Sequence, residues 1–176
     1  MTNLEPIFGA SEGSDMVDLD IRFFPNASNP RWILESRFKR PWHLKTWPRT
    51  SLRARLIYRA VWAASFLGLR MQSSRAVVKA DPASIYMKLR EDNDVLSVFV
   101  GTPGPNRKFV IFAQNATRSC FVKVPAEPSS FDLVAREAAA LDELSTDPDI
   151  QPLIPGHRMI DGHLAVDSVE GAGVSF

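Results

Sequence analysis

Along the second half of the chain the spacing of apolar positions changes twice, and each change marks an element. Residues 96–100 form a β-branched and aromatic run that stops at Gly101-Thr-Pro-Gly104-Pro-Asn106. There glycine permits turn conformations and proline forbids helix. The apolar run resumes over 109–112, Asn115-Ala-Thr makes a second turn, and 119–124 follows. Short links between three such runs predict an antiparallel meander. The period then lengthens, with Leu133, Val134, Glu137, Ala138, Leu141 and Leu144 recurring at steps of three and four. This predicts a helix with one apolar face, capped by Ser129 or Ser130 and carrying Asp132 in its first turn. Beyond a proline-punctuated crossing, 157–160 and 163–169 alternate around Asp161-Gly162, a strong hairpin signal.

The first half is less regular. Residues 21–24 and 32–34 are short strand candidates joined by Pro25-Asn-Ala-Ser-Asn-Pro30, a turn-rich link. The segment 51–71 is rich in Leu, Ala and Arg and predicts a helix whose longest uncharged run, 60–69, is too short to cross a bilayer. Residues 72–94 predict a linker followed by a short helix starting at Pro82 and running through Ile85, Tyr86 and Leu89. The first 20 residues hold five acids and few core residues, which predicts a mobile acidic arm; they lack the basic start and apolar block of a secretion signal.

Charge changes this picture more than composition does. With 176 residues, 45% of them hydrophobic and 23% charged, the chain has room for one ordinary domain, or a small domain with an extension. Its formal charge of +1 conceals a split: eleven Lys/Arg against Glu35 alone over 31–75, and nine Asp/Glu against Arg136 and Arg158 over 129–170. Such halves can attract each other, a partner or an anionic surface. Around the basic helix, Trp42, His43 and Trp47 are interleaved with Lys39, Arg40, Lys45 and Arg49. Docking on its own protein, a peripheral-membrane or partner-binding surface, and nucleic-acid binding are three readings of this region, the last the least supported. The lone Cys120 rules out an internal disulfide and, in an apolar strand, reads as a buried inert thiol in a reducing, cytoplasmic compartment.

Two residues carry the candidate chemistry. Lys123 sits among Phe121, Val122 and Val124, where a charge is costly without a partner. Glu137 lies on the apolar side of the following helix, where an acid needs a cation. The two can answer each other; alternatively Lys123 buries its stem and extends its amine to water. His43, His157 and His163 have no metal-ligand spacing, and neither Ser119 nor Ser129 has a nearby histidine and acid pair suited to nucleophilic hydrolysis.

Strand, glycine turn, strand, strand with Lys123 and helix with Glu137 resembles the small lobe of the protein-kinase-like superfamily, in the branch of aminoglycoside phosphotransferases and choline kinases. More narrowly, GTPGPNRK followed by a lysine strand and an REAAAL helix resembles phosphotransferase-like proteins of bacterial polysaccharide gene neighbourhoods. The resemblance implies an α+β fold: a five-stranded antiparallel sheet with one packed helix over 95–176, preceded by a basic hairpin and helical extension over 21–94 and the arm over 1–20. It implies that the loop 101–108, with Gly101, Thr102, Gly104 and Asn106, covers the phosphates of ATP. Lys123 would contact them, Glu137 would hold Lys123, and Glu170 would lie in the hinge that meets the adenine. The separations of 22 residues from Gly101 to Lys123 and 14 from Lys123 to Glu137 suit such a lobe.

The loop departs from the family pattern, having two glycines and two prolines in place of G-x-G-x-x-G. No catalytic-loop or D-F-G run is present, so the expectation is a truncated ATP-binding lobe without catalytic residues of its own, inactive alone. Magnesium would bind only with a second lobe, and the small-molecule acceptor is not specified. A non-catalytic protein-interaction or peripheral-membrane module using 51–71 is the alternative.

Overall fold

The computed structural model describes residues 3–10, 15–38, 40–46, 52–66 and 73–168. They form one antiparallel sheet of eight strands in the order β3-β1-β2-β4-β5-β6-β8-β7. The strands are β1 (Val17–Phe24), β2 (Trp32–Glu35), β3 (Ser74–Ala80), β4 (Val95–Phe99), β5 (Lys108–Gln114), β6 (Ser119–Pro125), β7 (His157–Ile160) and β8 (His163–Asp167). Four α-helices accompany them: α1 (Glu5–Phe8), α2 (Leu52–Phe66), α3 (Ile85–Asp92) and α4 (Pro128–Leu144).

This corrects the expected five-stranded sheet with one packed helix. The meander and the Asp161-Gly162 hairpin form the run β4-β5-β6-β8-β7, but the ladder does not stop at β4. An unpaired edge leaves a row of amides and carbonyls without partners, and here the β1–β2 hairpin covers it. Trp32, Ile33 and Leu34 lie opposite Phe99, Val98 and Ser97, and β3 then pairs with β1. Strands from both sides of residue 94 therefore share one sheet. β3 lies within the segment expected as a linker; apart from Ala80 its residues are exposed or half-buried, so no apolar alternation announces it.

Strand side chains alternate between faces, so the sheet has two coats. On the first face Ile21, Phe23, Ile33, Val98, Ile111 and Val122 belong to one core cluster that also holds Ile7 and Phe8 of α1 and Ile85, Tyr86 and Leu89 of α3. The first 20 residues are thus not simply an arm. Ile7 and Phe8 are buried, the Phe8 and Tyr86 rings lie 4.9 Å apart, and the Asp81 amide donates to the Phe8 carbonyl at 2.7 Å. Helix α3 starts at Ile85 after Ser84, whose hydroxyl accepts from the Met87 amide, rather than at Pro82.

Glu35 is also on this face and only 3% exposed. The Tyr86 hydroxyl donates to it at 3.1 Å, and Arg90 and Arg37 reach it at 3.1 and 2.8 Å. The one acid of the basic half thereby ties β2 to α3.

The second face is covered at both ends. Over β6, β7 and β8, Val134 and Ala138 of α4 pack on Leu164. Leu133 and Leu144, expected on the packed side, are exposed because the buried stripe of α4 is narrower than its apolar spacing implied. Over β2, β4 and β5 lies a 3-10 turn, Trp42–Thr46, with Leu44 buried and the Ser97 hydroxyl donating to the Trp42 carbonyl at 3.3 Å. Between these covers Phe99, Val110, Phe121 and Lys123 are only half-buried.

Candidate functional site

The loop between β4 and β5 is shaped by its first glycine. Gly101 has φ +74, and a Cβ there would come within 2.4 Å of the Lys108 carbonyl oxygen, so glycine is required where the hairpin closes. The tip is fixed by hydrogen bonds at its far end. The Arg107 amide donates to the Gly104 carbonyl at 3.0 Å, the Arg107 guanidinium to the Val100 carbonyl at 3.1 Å, and the Ala126 amide to the Arg107 carbonyl at 3.1 Å. The Ser129 hydroxyl, in the first turn of α4, donates to the Pro105 carbonyl. Beneath the loop is an open groove of about 390 Å³ lined by 101–108, Phe99 and Val110.

Helix α4 begins at Pro128, two or three residues earlier than a Ser129 or Ser130 cap would place it, so Asp132 falls beyond the first turn. Ser130 is buried and acts backwards, accepting from the Ala126 and Glu127 amides at 3.1 Å each. This start sets the phase of the helix and aims Glu137 at the sheet.

Lys123 and Glu137 form an ion pair across the gap between β6 and α4. Val110, a groove residue, lies directly opposite Lys123 in the β5–β6 register, while Lys108 lies opposite Pro125, so both lysines emerge on the same face. Lys108 reaches the other oxygen of Glu137 at 3.1 Å. Two ammoniums therefore share one carboxylate in a half-buried place, and the local balance is one positive charge in excess. Burial first, and the Lys108 ammonium second, push the Lys123 pKa below its usual value. The Glu137 carboxylate opposes both effects, and it favours the charged lysine. No protein-family model, curated protein or solved structure matches this chain.

The residues expected at the site divide into three groups. Lys123 and Glu137 meet, while Gly101 and Gly104 line the groove, which Lys108 reaches and Lys123 adjoins through its register partner Val110. Thr102 and Asn106 line the groove from the exposed tip. Glu170 lies outside the described residues, as do Trp47 and Arg49. Sequence reasoning placed Lys108 in the loop but missed its hold on Glu137. The signal was the four-residue link 115–118, which sets Gln114 opposite Ser119 and so fixes Lys108 and Lys123 on one face.

His157 and Asp161 have structural partners. His157 bonds Asp142 of α4 at 2.9 Å, and this contact, ahead of the Pro155 carbonyl, raises its pKa. Asp161, with φ +49 in the β7–β8 turn, pairs with Lys88 of α3 at 2.7 Å. Burial pushes the Cys120 thiol pKa up, away from nucleophilic use. No group of three His, Cys, Asp or Glu among the described residues is placed to hold a metal ion. Glu137 fits poorly as a magnesium ligand, since both its oxygens are engaged by lysines. No helix of the described residues is long and apolar enough to cross a membrane.

Proposed function

We propose that the groove under the β4–β5 loop binds the phosphates of a nucleotide, with Lys123 and Lys108 as the contacting cations and Glu137 as the group that positions both. The observation that carries this reading is the charge imbalance: two half-buried lysines turned on one carboxylate beside a groove wide enough for a small anion. An anionic ligand restores neutrality there, and charge-assisted bonds to phosphate are the strong kind. The resemblance to the small lobe of aminoglycoside phosphotransferases and choline kinases makes ATP the nucleotide of choice. Phosphoryl transfer also needs metal-holding acids and a base. The proposal assigns those to a second lobe, joined or separate, and expects little or no turnover from these residues alone.

Calorimetric titration with ATP, without and with magnesium, tests the reading. Lys123→Ala and Lys108→Ala should each weaken binding roughly tenfold or more, the worth of one hydrogen bond to a charged group. Unchanged affinity in both variants, with a loss of thermal stability, would reassign the two lysines to fastening α4 onto the sheet.

A further inference from the structure

Helix α2 carries an exposed side that the groove does not explain. At about 100° per residue, Leu52, Leu56, Ala60 and Ala63 fall within a stripe about 80° wide. All four are exposed, Leu52 by 74% and Leu56 by 57%. Arg53 and Arg59, both exposed, border the stripe about 20° beyond its two edges. Ile57, 39% exposed, follows beyond Arg53. Tyr58, Val61 and Trp62 occupy the opposite side and are half-buried, with the Tyr58 and Trp62 rings stacked 6.1 Å apart. No other element packs extensively against α2 among the described residues.

The surrounding charge says what can cover this side. Over its own length α2 carries Arg53, Arg55 and Arg59, all exposed, and no Asp or Glu. A partner must therefore be anionic, and it must also accept leucine. Phosphate-lined nucleic acid satisfies the first condition and not the second. The boundary between headgroups and acyl chains of an anionic bilayer satisfies both: leucines enter the apolar layer while the bordering arginines extend to the phosphates.

We propose that α2 lies on the surface of anionic lipid bilayers, with Leu52 and Leu56 inserted and Arg53 and Arg59 at headgroup level. This surface is separate from the groove and does not depend on its reading.

Flotation of the full chain with vesicles tests the proposal, comparing phosphatidylcholine alone with a mixture rich in phosphatidylglycerol. Expected are binding to the anionic vesicles only, and release at about 1 M salt, where the screening length falls to about 3 Å. Arg53→Gln with Arg59→Gln should weaken binding roughly 20- to 30-fold, from about 1 kcal/mol per cation near a charged surface. Leu52→Glu with Leu56→Glu should abolish it while the circular dichroism spectrum is unchanged. Equal binding to both vesicle types, no binding to either, or full affinity in the Leu52→Glu, Leu56→Glu variant would each overturn the proposal. So would a lipid-free dimer, seen by light scattering, that the same variant dissociates, because a second copy would then be the cover.

Discussion

Replacing Glu35 by alanine tests whether the first face is held by one polar knot. The carboxylate is 3% exposed and receives the Tyr86 hydroxyl at 3.1 Å, Arg90 at 3.1 Å and Arg37 at 2.8 Å. The three partners lose different amounts. The side chains of Arg90 and Arg37 are 32% and 48% exposed, so water can replace the carboxylate for them, at a cost of about 0–1 kcal/mol each. Tyr86 is 1% exposed, and its hydroxyl would be left without a partner at about 1–3 kcal/mol. The expected loss is about 1–5 kcal/mol, a fall in Tm of roughly 2–20 °C for a chain of this size. Urea melts of wild type, Glu35→Ala, Tyr86→Phe and the double variant separate the parts. Removing the hydroxyl first removes the orphan, so Glu35→Ala in the Tyr86→Phe background should cost about 1–2 kcal/mol less than it does alone. Additivity of the two within about 0.3 kcal/mol, or a cost of Glu35→Ala below about 1 kcal/mol, would refute the account.

Gly101→Ala should destabilise the β4–β5 hairpin by about 2 kcal/mol or more, because it adds a left-handed penalty to a 2.4 Å approach on backbone oxygen; urea denaturation reads the loss. Nucleotide affinity should fall with it if the groove binds phosphate. The raised pKa of His157 means its bond to Asp142 stabilises the fold fully below the unfolded value of 6.5 and stops doing so as pH rises through the folded value. Thermal melts should therefore show wild type ahead of Asp142→Asn at about pH 5.5 by under 1 kcal/mol, with the gap closing by about pH 8.5; a constant gap would count against the linkage.

How far the fold could be read ahead depended on how regular each segment is. The β4-β5-β6 meander, α4 and the β7–β8 hairpin were legible because alternation, glycine and Asp161-Gly162 all agreed. The contact of Lys123 with Glu137 followed from the cost of burying either alone. Helix α1 was hidden because four residues show no period, and its Ile7 and Phe8 gain burial only when α3 is present. Strand β3 was hidden because an edge strand with an exposed face needs no alternation, Val77 being 65% exposed. The joining of β2 to β4 is a long-range pairing, and local pattern cannot state which edge a hairpin will find.

That joining has a practical consequence. β2 and β4 meet over three residue pairs, a narrow seam, yet the apolar layer behind it is continuous from Leu19 to Ala165. A fragment cut to begin at Val95 would keep every lysine of the groove and lose α1, α3 and the β1–β2 hairpin, leaving Leu96, Val98 and Ile111 facing solvent. Such a piece should self-associate when expressed, however intact its binding residues.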